Sequence, residues 1–372
     1  MAAAAEPNAL PTLQIGKAAI LRAGRDLTIV SYGGALPAVA EVTATLASEG
    51  VGAEIAACMA DIGFDELDAP ILRVGAPFMP SPVAKALERR YLPNHDKILA
   101  AARRLLSEGE DMSEELVLYA QDGAVAIITL NRPQSLNPLN LPTLEALEAA
   151  VIRAEKDASV RVLVFTGAGD KAFVAGGDIP DLVTRRGLEH YLDFGERIHA
   201  VFRRIEICDK PTIAAINGWA LGGGTELLLS TDIRVAVESA QLGLPEINLG
   251  LFPGAGGSQR LIRQIPLCKA KEMMFIGDRI TAAEAERLGL INKVVPDGAL
   301  MEEVMKMAGA MARKSPLVLK FLKRAMVDGG EMPLHAALRH EQAMIGLVFD
   351  TEDAHEGCTA FIKKRRPDFQ GK

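Results

Sequence analysis

Cysteine is scarce in this sequence. There are four in 372 residues, Cys58, Cys208, Cys268 and Cys358. No two stand in a CxxC or at the spacing of metal ligands, which excludes a disulfide framework and a cysteine-based metal site. They read as reduced thiols that pack in the interior of a cytoplasmic protein. The sequence also lacks the roughly 18 uninterrupted apolar residues that a membrane span needs. The opening run MAAAAEPNALPTL has no basic segment ahead of an apolar one, so no secretory signal is expected. Basic excess is missing too: the net charge is -7 and the pI is about 5.6. That balance argues against nucleic acid or an anionic membrane as the partner, and leaves anionic ligands to local basic residues. Finally, no GxGxxG follows the first strand of a mononucleotide-type unit, which argues against a dinucleotide fold.

What is present suits a soluble globular chain, with 49% hydrophobic and 24% charged residues and length for two domains of roughly 100 to 200 residues each. In the first part, LTIVSY is a short apolar run between Gly24-Arg25-Asp26 and Gly33-Gly34, the pattern of a buried strand. Helical spacing over 36–48, a strand at 68–74 and a helix over 93–106 complete a small α/β module at 1–106. The runs GKAAILRAGRDLTIVSYG, VGAEIAACMADIGFDELDAPILRVGAPFMPSP and LPNHDKILAAARRLL resemble the C-terminal domain of the beta subunit of the thiamine-diphosphate-dependent 2-oxo acid dehydrogenase component. The resemblance spans about 16–106 and is partial, since Glu49-Gly50-Val51-Gly52 joins two segments that the family separates. Nothing here matches a thiamine site, so a truncated module that only packs or is partly disordered is expected, with an active or docking role as the alternative. The charged run SEGEDMS then makes a linker over 107–112.

From 113 onward the chain reads as one domain, a core over 113–266 and a helical region over 267–372. Asp122-Gly123 between two apolar runs predicts a hairpin. A helix is predicted over 141–158, with Pro142 in its first turn. Strands are predicted at 160–166 and 211–216, and a single helix at 187–207. Recurring strand and turn motifs between helices suggest a superhelix of strand-strand-helix repeats. Thr281 with Glu284 three residues on is a capping box, and helices are predicted at 301–311, 316–327 and 334–349.

Chemistry concentrates in 217–257, NGWALGGGTELLLSTDIRVAVESAQLGLPEINLGLFPGAGG, and in the glycine-rich loop at 167–180. Gly176-Gly177-Asp178 and Gly222-Gly223-Gly224 each precede a predicted helix start, where backbone N–H groups are unpaired at the positive end of the helix dipole. Brought together, two such loops can bind a developing oxyanion; apart, each is a tight turn. Glu226, in the first turn of a helix predicted at 221–230, fits a dipole-stabilised surface or a cleft. Glu246 stands between apolar neighbours in LPEINLG, where a solvated charge is hard to accommodate. As a pair beside backbone donors they have the parts to move a proton and activate a water.

Five ordered motifs, TLNRPQSLNPLN, KAFVAGGDI, INGWALGGGTELLLSTDIRVA, LGLPEINLGLFPGAGGSQRL and GDRITAAEAERLGLINKVV, resemble the crotonase superfamily and within it enoyl-CoA hydratase. The resemblance covers about 113–372 and implies an α/β crotonase-type superhelix with a C-terminal helical trimerisation region. It implies reversible addition of water to a 2-enoyl-CoA, with no metal or redox cofactor because the CoA thioester is itself the substrate. By the same resemblance the N–H groups of Ala175 and Gly223 form the oxyanion hole. Glu226 and Glu246, 20 residues apart, are the catalytic pair, and Gly254 helps to hold the water. Gln134, Ser135, Leu136, Ala172, Gly176, Gly177, Asp178, Ile179, Trp219, Gly222 and Pro245 line the substrate and its CoA. Gln134 stands where a basic residue is common, so Lys363, Lys364, Arg365 and Arg366 are candidates for the phosphates. A homotrimer or homohexamer is implied, as is a possible docking partner for the front module. Isomerisation or hydrolysis of acyl-CoAs on the same fold, and a non-catalytic scaffold, are the alternatives.

Overall fold

The computed structural model describes residues 115–372 and, before them, Ala19–Arg22, Leu27–Val30, Thr45, Ala53–Ala57 and residues 98–99. The chain divides into two units, Met1–Ser113 and Glu114–Lys372. In the first, β1 (Ala19–Arg22), β2 (Leu27–Val30) and β3 (Ala53–Ala57) form a sheet with β3 in the middle, parallel to β2 and antiparallel to β1. β2 is the predicted LTIV strand. The strand expected at 68–74 and the linker at 107–112 lie outside the described residues. Of the helices expected at 36–48 and 93–106, only Thr45 and residues 98–99 are described, and they are helical.

The second unit opens with the predicted hairpin, β4 (Val117–Asp122) antiparallel to β5 (Val125–Leu130), turning at Gly123 with φ +55°. Three repeats follow, each placing one strand in a large sheet and the next in a small one before a helix. The first is β6 (Val162–Gly167) and β7 (Ala172–Val174), followed by helix Glu196–Ile207. The second is β8 (Thr212–Ile216) and β9 (Trp219–Leu221), followed by helix Gly223–Leu229. The third is β10 (Ile233–Val237) and β11 (Gln241–Gly243), followed by helix Gly257–Gln264. β12 (Ile280–Thr281) then pairs antiparallel with β11, and β13 (Lys293–Val295) parallel with β10. The large sheet runs β13-β10-β8-β6-β5-β4 and the small one β12-β11-β9-β7. This is the strand-strand-helix superhelix that the sequence pattern implies.

β8, TIAAI, is buried at every position, as a central parallel strand covered on both faces must be. Helix Leu141–Lys156 packs Leu144, Leu147 and Val151 into the core and is capped by Asn140, whose side chain accepts from the Thr143 amide. Arg234 is buried, and its guanidinium donates to the carbonyls of Leu228 and Thr231 at 2.7 and 2.9 Å, and to Leu290 and Gln264. It thereby adds donors to carbonyls at and just beyond the end of helix Gly223–Leu229, where intrahelical partners run out. Burial pulls its pKa down to about 10.

Three expectations need correction. The helix at 187–207 is broken: Gly187–Glu189 leads into a π-helical turn, His190–Gly195, before helix Glu196–Ile207. The wider turn stacks His190 on Phe194 and buries Phe194 in the same core as Ile198, Val201, Phe202 and Ile205. Second, the predicted helix at 221–230 starts later, because Leu221 belongs to β9. Third, among the described cysteines only Cys208 is buried, while Cys268 and Cys358 are exposed. In the tail, Leu300–Ala312, Pro316–Gly330 and Leu334–Phe349 match the predicted helices, and Thr281 caps Ala282–Arg287 through the Glu284 amide. A further helix, Glu352–Ile362, was not anticipated, although Thr351 as its cap and Glu352 and Asp353 in its first turn are readable start signals. Among the described residues no helix is long and apolar enough to cross a membrane.

Candidate active site

The two glycine loops meet. β7 and β9 are parallel neighbours in the small sheet, so the segments leaving their ends lie side by side. Gly176 (φ +103°) and Gly222 (φ +50°) take backbone conformations that side chains resist. A Cβ built on Gly223 would lie 3.8 Å from the Gly177 nitrogen. Gly223 is the first residue of its helix, so its N–H has no acceptor within the helix. On the facing loop, the Ala175 amide donates to the Leu136 carbonyl at 3.0 Å, and the Asp178 amide to Leu139 at 2.8 Å. Gly177, between them, has no acceptor for its N–H among the described residues. This corrects the expectation for Ala175: its N–H is already engaged, and the amide left facing Gly223 is that of Gly177.

Asp178 is not a ligand-facing residue either. Its carboxylate accepts from Arg132 Nη1 at 2.8 Å and Asn140 Nδ2 at 3.2 Å, and the Leu139 amide donates to the Gly176 carbonyl at 2.9 Å. The Gly177 peptide is therefore held on both sides by the 132–140 segment.

Glu226 lies in the first turn of helix Gly223–Leu229 and is only 3% exposed, which removes the surface reading. Its Oε1 accepts from the amides of Ala255 and Gly257 at 2.7 and 2.8 Å. Burial raises its pKa, while those two N–H groups and the Arg260 charge oppose the rise. Glu246 sits in the 3-10 turn Pro245–Leu249, which Pro245 initiates. Its Oε2 is buried without a hydrogen-bond partner. Its pKa is pushed up to about 7, by burial first and then by the Glu226 charge. Its Oε1 would be 2.9 Å from a Cβ on Gly222, so Gly222 serves both the turn and the close approach of this carboxylate. Half-buried Glu246 thus favours its neutral form, while at Glu226 two backbone donors and Arg260 oppose the same upward shift, the kind of asymmetry that separates a proton donor from a base. Gly254 is open, with nothing nearer to an added Cβ than the Phe252 carbonyl at 3.8 Å.

Gln134, Leu136 and Ala172 share a cavity of about 330 Å3 with Asn137 and Lys171. Asn137 closes one wall: its side chain accepts from the Arg132 amide at 2.9 Å and donates to the carbonyls of Ala168 and Ala172 at 3.0 and 2.9 Å. Asn137→Ala takes this partner from the Arg132 amide and the Ala168 carbonyl at a cost of about 1–3 kcal/mol each, while the Ala172 carbonyl keeps its bond from Asn217 at 3.4 Å. We expect a lower midpoint in urea unfolding together with a raised KM for CoA esters. Lys171 was missed as a site residue, though it is the first residue of the KAFVAGGDI motif and, among the described residues, the one basic side chain lining that cavity. Ser135 ends the short 3-10 turn at Pro133–Ser135 and is exposed, as is Ile179. Trp219 has its ring beneath the Arg279 guanidinium, 4.8 Å away. In the C-terminal basic run, Arg365 is tied through both terminal nitrogens to Glu356 and is removed from the candidates for phosphate. A larger cleft of about 530 Å3, holding Arg204, Lys210 and Arg324, lies apart from the carboxylates, and these cations are matched by Glu155, backbone carbonyls and Asp209.

Comparison with known proteins agrees with this geometry. Residues 120–372 match the family model described as enoyl-CoA hydratase/isomerase, and residues 48–98 match that of the transketolase C-terminal domain. A short-chain-enoyl-CoA hydratase of Clostridium acetobutylicum is 42% identical over 250 residues, 67% of this chain and 95% of that protein. A crotonyl-CoA hydratase of Syntrophomonas wolfei is 41% identical over 261 residues, covering 70% of this chain and 100% of the relative. The crystal structure of an enoyl-CoA hydratase from Bacillus anthracis matches with a TM-score of 0.67 and 39% identity, over 69% of this chain and 100% of that one.

Proposed function

Since the chain belongs to the enoyl-CoA hydratase/isomerase family, we propose that it adds water reversibly across the double bond of a 2-enoyl-CoA to give a 3-hydroxyacyl-CoA. The observation that carries this reading is the pairing of a buried Glu226, held by two backbone amides, with a half-buried Glu246 whose Oε2 has no hydrogen-bond partner among the described residues, beside the glycine loops that carry the amides of Gly177 and Gly223. Those amides hold the thioester oxygen, which draws electrons from the β carbon and stabilises the enolate that forms. Water is held between the two carboxylates and the Gly254 amide. Glu226 takes a proton from it as its oxygen bonds to the β carbon, and Glu246 delivers a proton to the α carbon. A double-bond shift needs only one proton-carrying group, so two favour hydration.

The acyl-CoA is the substrate, and the catalytic steps above need no metal or redox cofactor. The cavity of Gln134 and Lys171 takes the nucleotide end of CoA, with Lys171 facing its phosphates. The exposed apolar residues Leu334, Leu338, Phe349, Phe361 and Ile362 on the last helices support a homotrimer or homohexamer, in keeping with a role in cytoplasmic β-oxidation.

With crotonyl-CoA, the conjugated thioester absorbance should decay and 3-hydroxybutyryl-CoA appear. Persistence of that absorbance with protein in excess, across longer and branched enoyl-CoAs, would refute the reading. The unit Met1–Ser113 is proposed as a separate packing or docking module with no part in the chemistry. Removal of residues 1–111 is expected to leave kcat and KM little changed, because every residue assigned to the chemistry belongs to the unit Glu114–Lys372.

A further inference from the structure

The cradle of Glu226 has a support of its own. Gly257 and Ala255 donate to Glu226 Oε1, and the carbonyl of the same Ala255 accepts from Arg260 Nη1 at 3.1 Å. Arg260, 14% exposed, is itself gripped by both oxygens of Glu206, at 3.1 and 2.9 Å. Glu206 belongs to helix Glu196–Ile207 and also accepts from Arg203, which pairs with Glu331 at 3.2 Å. The backbone leaves the guanidinium little choice of place: Gly256 has φ +105°, and a Cβ there would overlap Arg260 Nη1.

We infer that Arg260 is a positioning residue for the general base: it holds the Ala255–Gly256 peptide by its carbonyl, and that peptide lies between the two whose N–H groups, at Ala255 and Gly257, converge on Glu226, with Glu206 as the clamp that holds Arg260. Arg260 does not touch the reacting atoms. It acts through one peptide, and through a positive charge that favours ionised Glu226. The charged groups bearing on Glu226 are Arg260, from helix Gly257–Gln264, and Glu246, from the turn Pro245–Leu249. The inference rests on the role given to Glu226 under the proposed function.

The test titrates the 13C-labelled glutamate carboxyls of the full chain in wild type, Arg260→Gln and Arg260→Lys, with the Glu226 signal identified by its loss in Glu226→Gln. In Arg260→Gln, Glu226 is expected to titrate at higher pH than in wild type. The acid limb of kcat/KM should move with it, and kcat should fall roughly 10²-fold, the scale of a misplaced catalytic group, with KM unchanged. Arg260→Lys keeps the charge and so the wild-type titration, but one ammonium cannot bridge Glu206 and the Ala255 carbonyl, so kcat still falls. A wild-type kcat in Arg260→Lys, or an unmoved Glu226 titration in folded Arg260→Gln, overturns the inference. A fall in kcat that only follows the folded fraction overturns it too. If wild type hydrates no enoyl-CoA the hydratase reading fails, yet the titration still decides whether Arg260 governs Glu226.

Discussion

Glu246→Gln should lower kcat for hydration by about 10³-fold, within the range that general acid catalysis contributes, while binding of CoA esters changes little. Glutamine keeps the shape of the side chain and carries no proton that can be given to carbon. The amide also removes the ionisation responsible for one limb of the pH profile. The carboxyl titrates at about 7 because burial and the Glu226 charge oppose its ionisation. Its neutral form, the donor, dominates below that value and is lost above it, so wild-type kcat/KM for hydration should decline as pH rises through about 7. Glu226 carries the opposite limb, since the base is lost as it protonates at low pH. The check is a pH series of kcat/KM with crotonyl-CoA, compared with isothermal titration of a non-reactive acyl-CoA into wild type and Glu246→Gln. Retained turnover in the variant would remove Glu246 from the chemistry.

Gly224→Ala should be the most damaging small change in the domain. A Cβ at this position would overlap the Val174 carbonyl oxygen and lie 2.8 Å from the carbonyl carbon. Both partners are backbone, so no side chain can turn aside; either β7 or helix Gly223–Leu229 must move. Overpacking of this kind costs typically 1–3 kcal/mol, and we expect about 3 kcal/mol in urea unfolding. The protein that remains folded should turn over poorly, because the displaced helix start carries the Gly223 amide. Gly346→Ala, in a helix with nothing within 4 Å of the new methyl, is the control. It should be neutral or raise stability by about 0.5–1 kcal/mol.

Much of this arrangement was legible in the residues. The Asp122-Gly123 hairpin, the capped helices and the run TIAAI follow local rules of turn, cap and burial. The pairing of Glu226 with Glu246 as a catalytic couple was implied by the resemblance of the motifs to enoyl-CoA hydratase, while the residues alone left Glu226 open between surface and cleft. What escaped was set by long-range packing. The π-helical turn at His190–Gly195 depends on where Phe194 is buried, which helical periodicity alone does not disclose. The identity of the second amide depends on which N–H groups of the glycine loop are already bonded. Ala175 and Gly177 are equivalent on paper, and only the pairing of the loop with Leu136 and Leu139 separates them. Glu226 looked like a surface residue until helix Gly257–Gln264 and its preceding turn closed over it. Arg260 and Lys171 stood inside quoted motifs, but their partners lie 54 residues away at Glu206 and across the cavity at Gln134.

The central claim, that Glu226 and Glu246 direct one water at the β carbon of a thioester held by Gly177 and Gly223, is tested most directly by turnover of crotonyl-CoA in 18O-water with mass analysis of the product. The account predicts 3-hydroxybutyryl-CoA carrying one 18O at the 3-hydroxyl, formed by wild type and abolished in both Glu226→Gln and Glu246→Gln. Unchanged crotonyl-CoA, a positional isomer without 18O, or free CoA with the label in a carboxylate would contradict it.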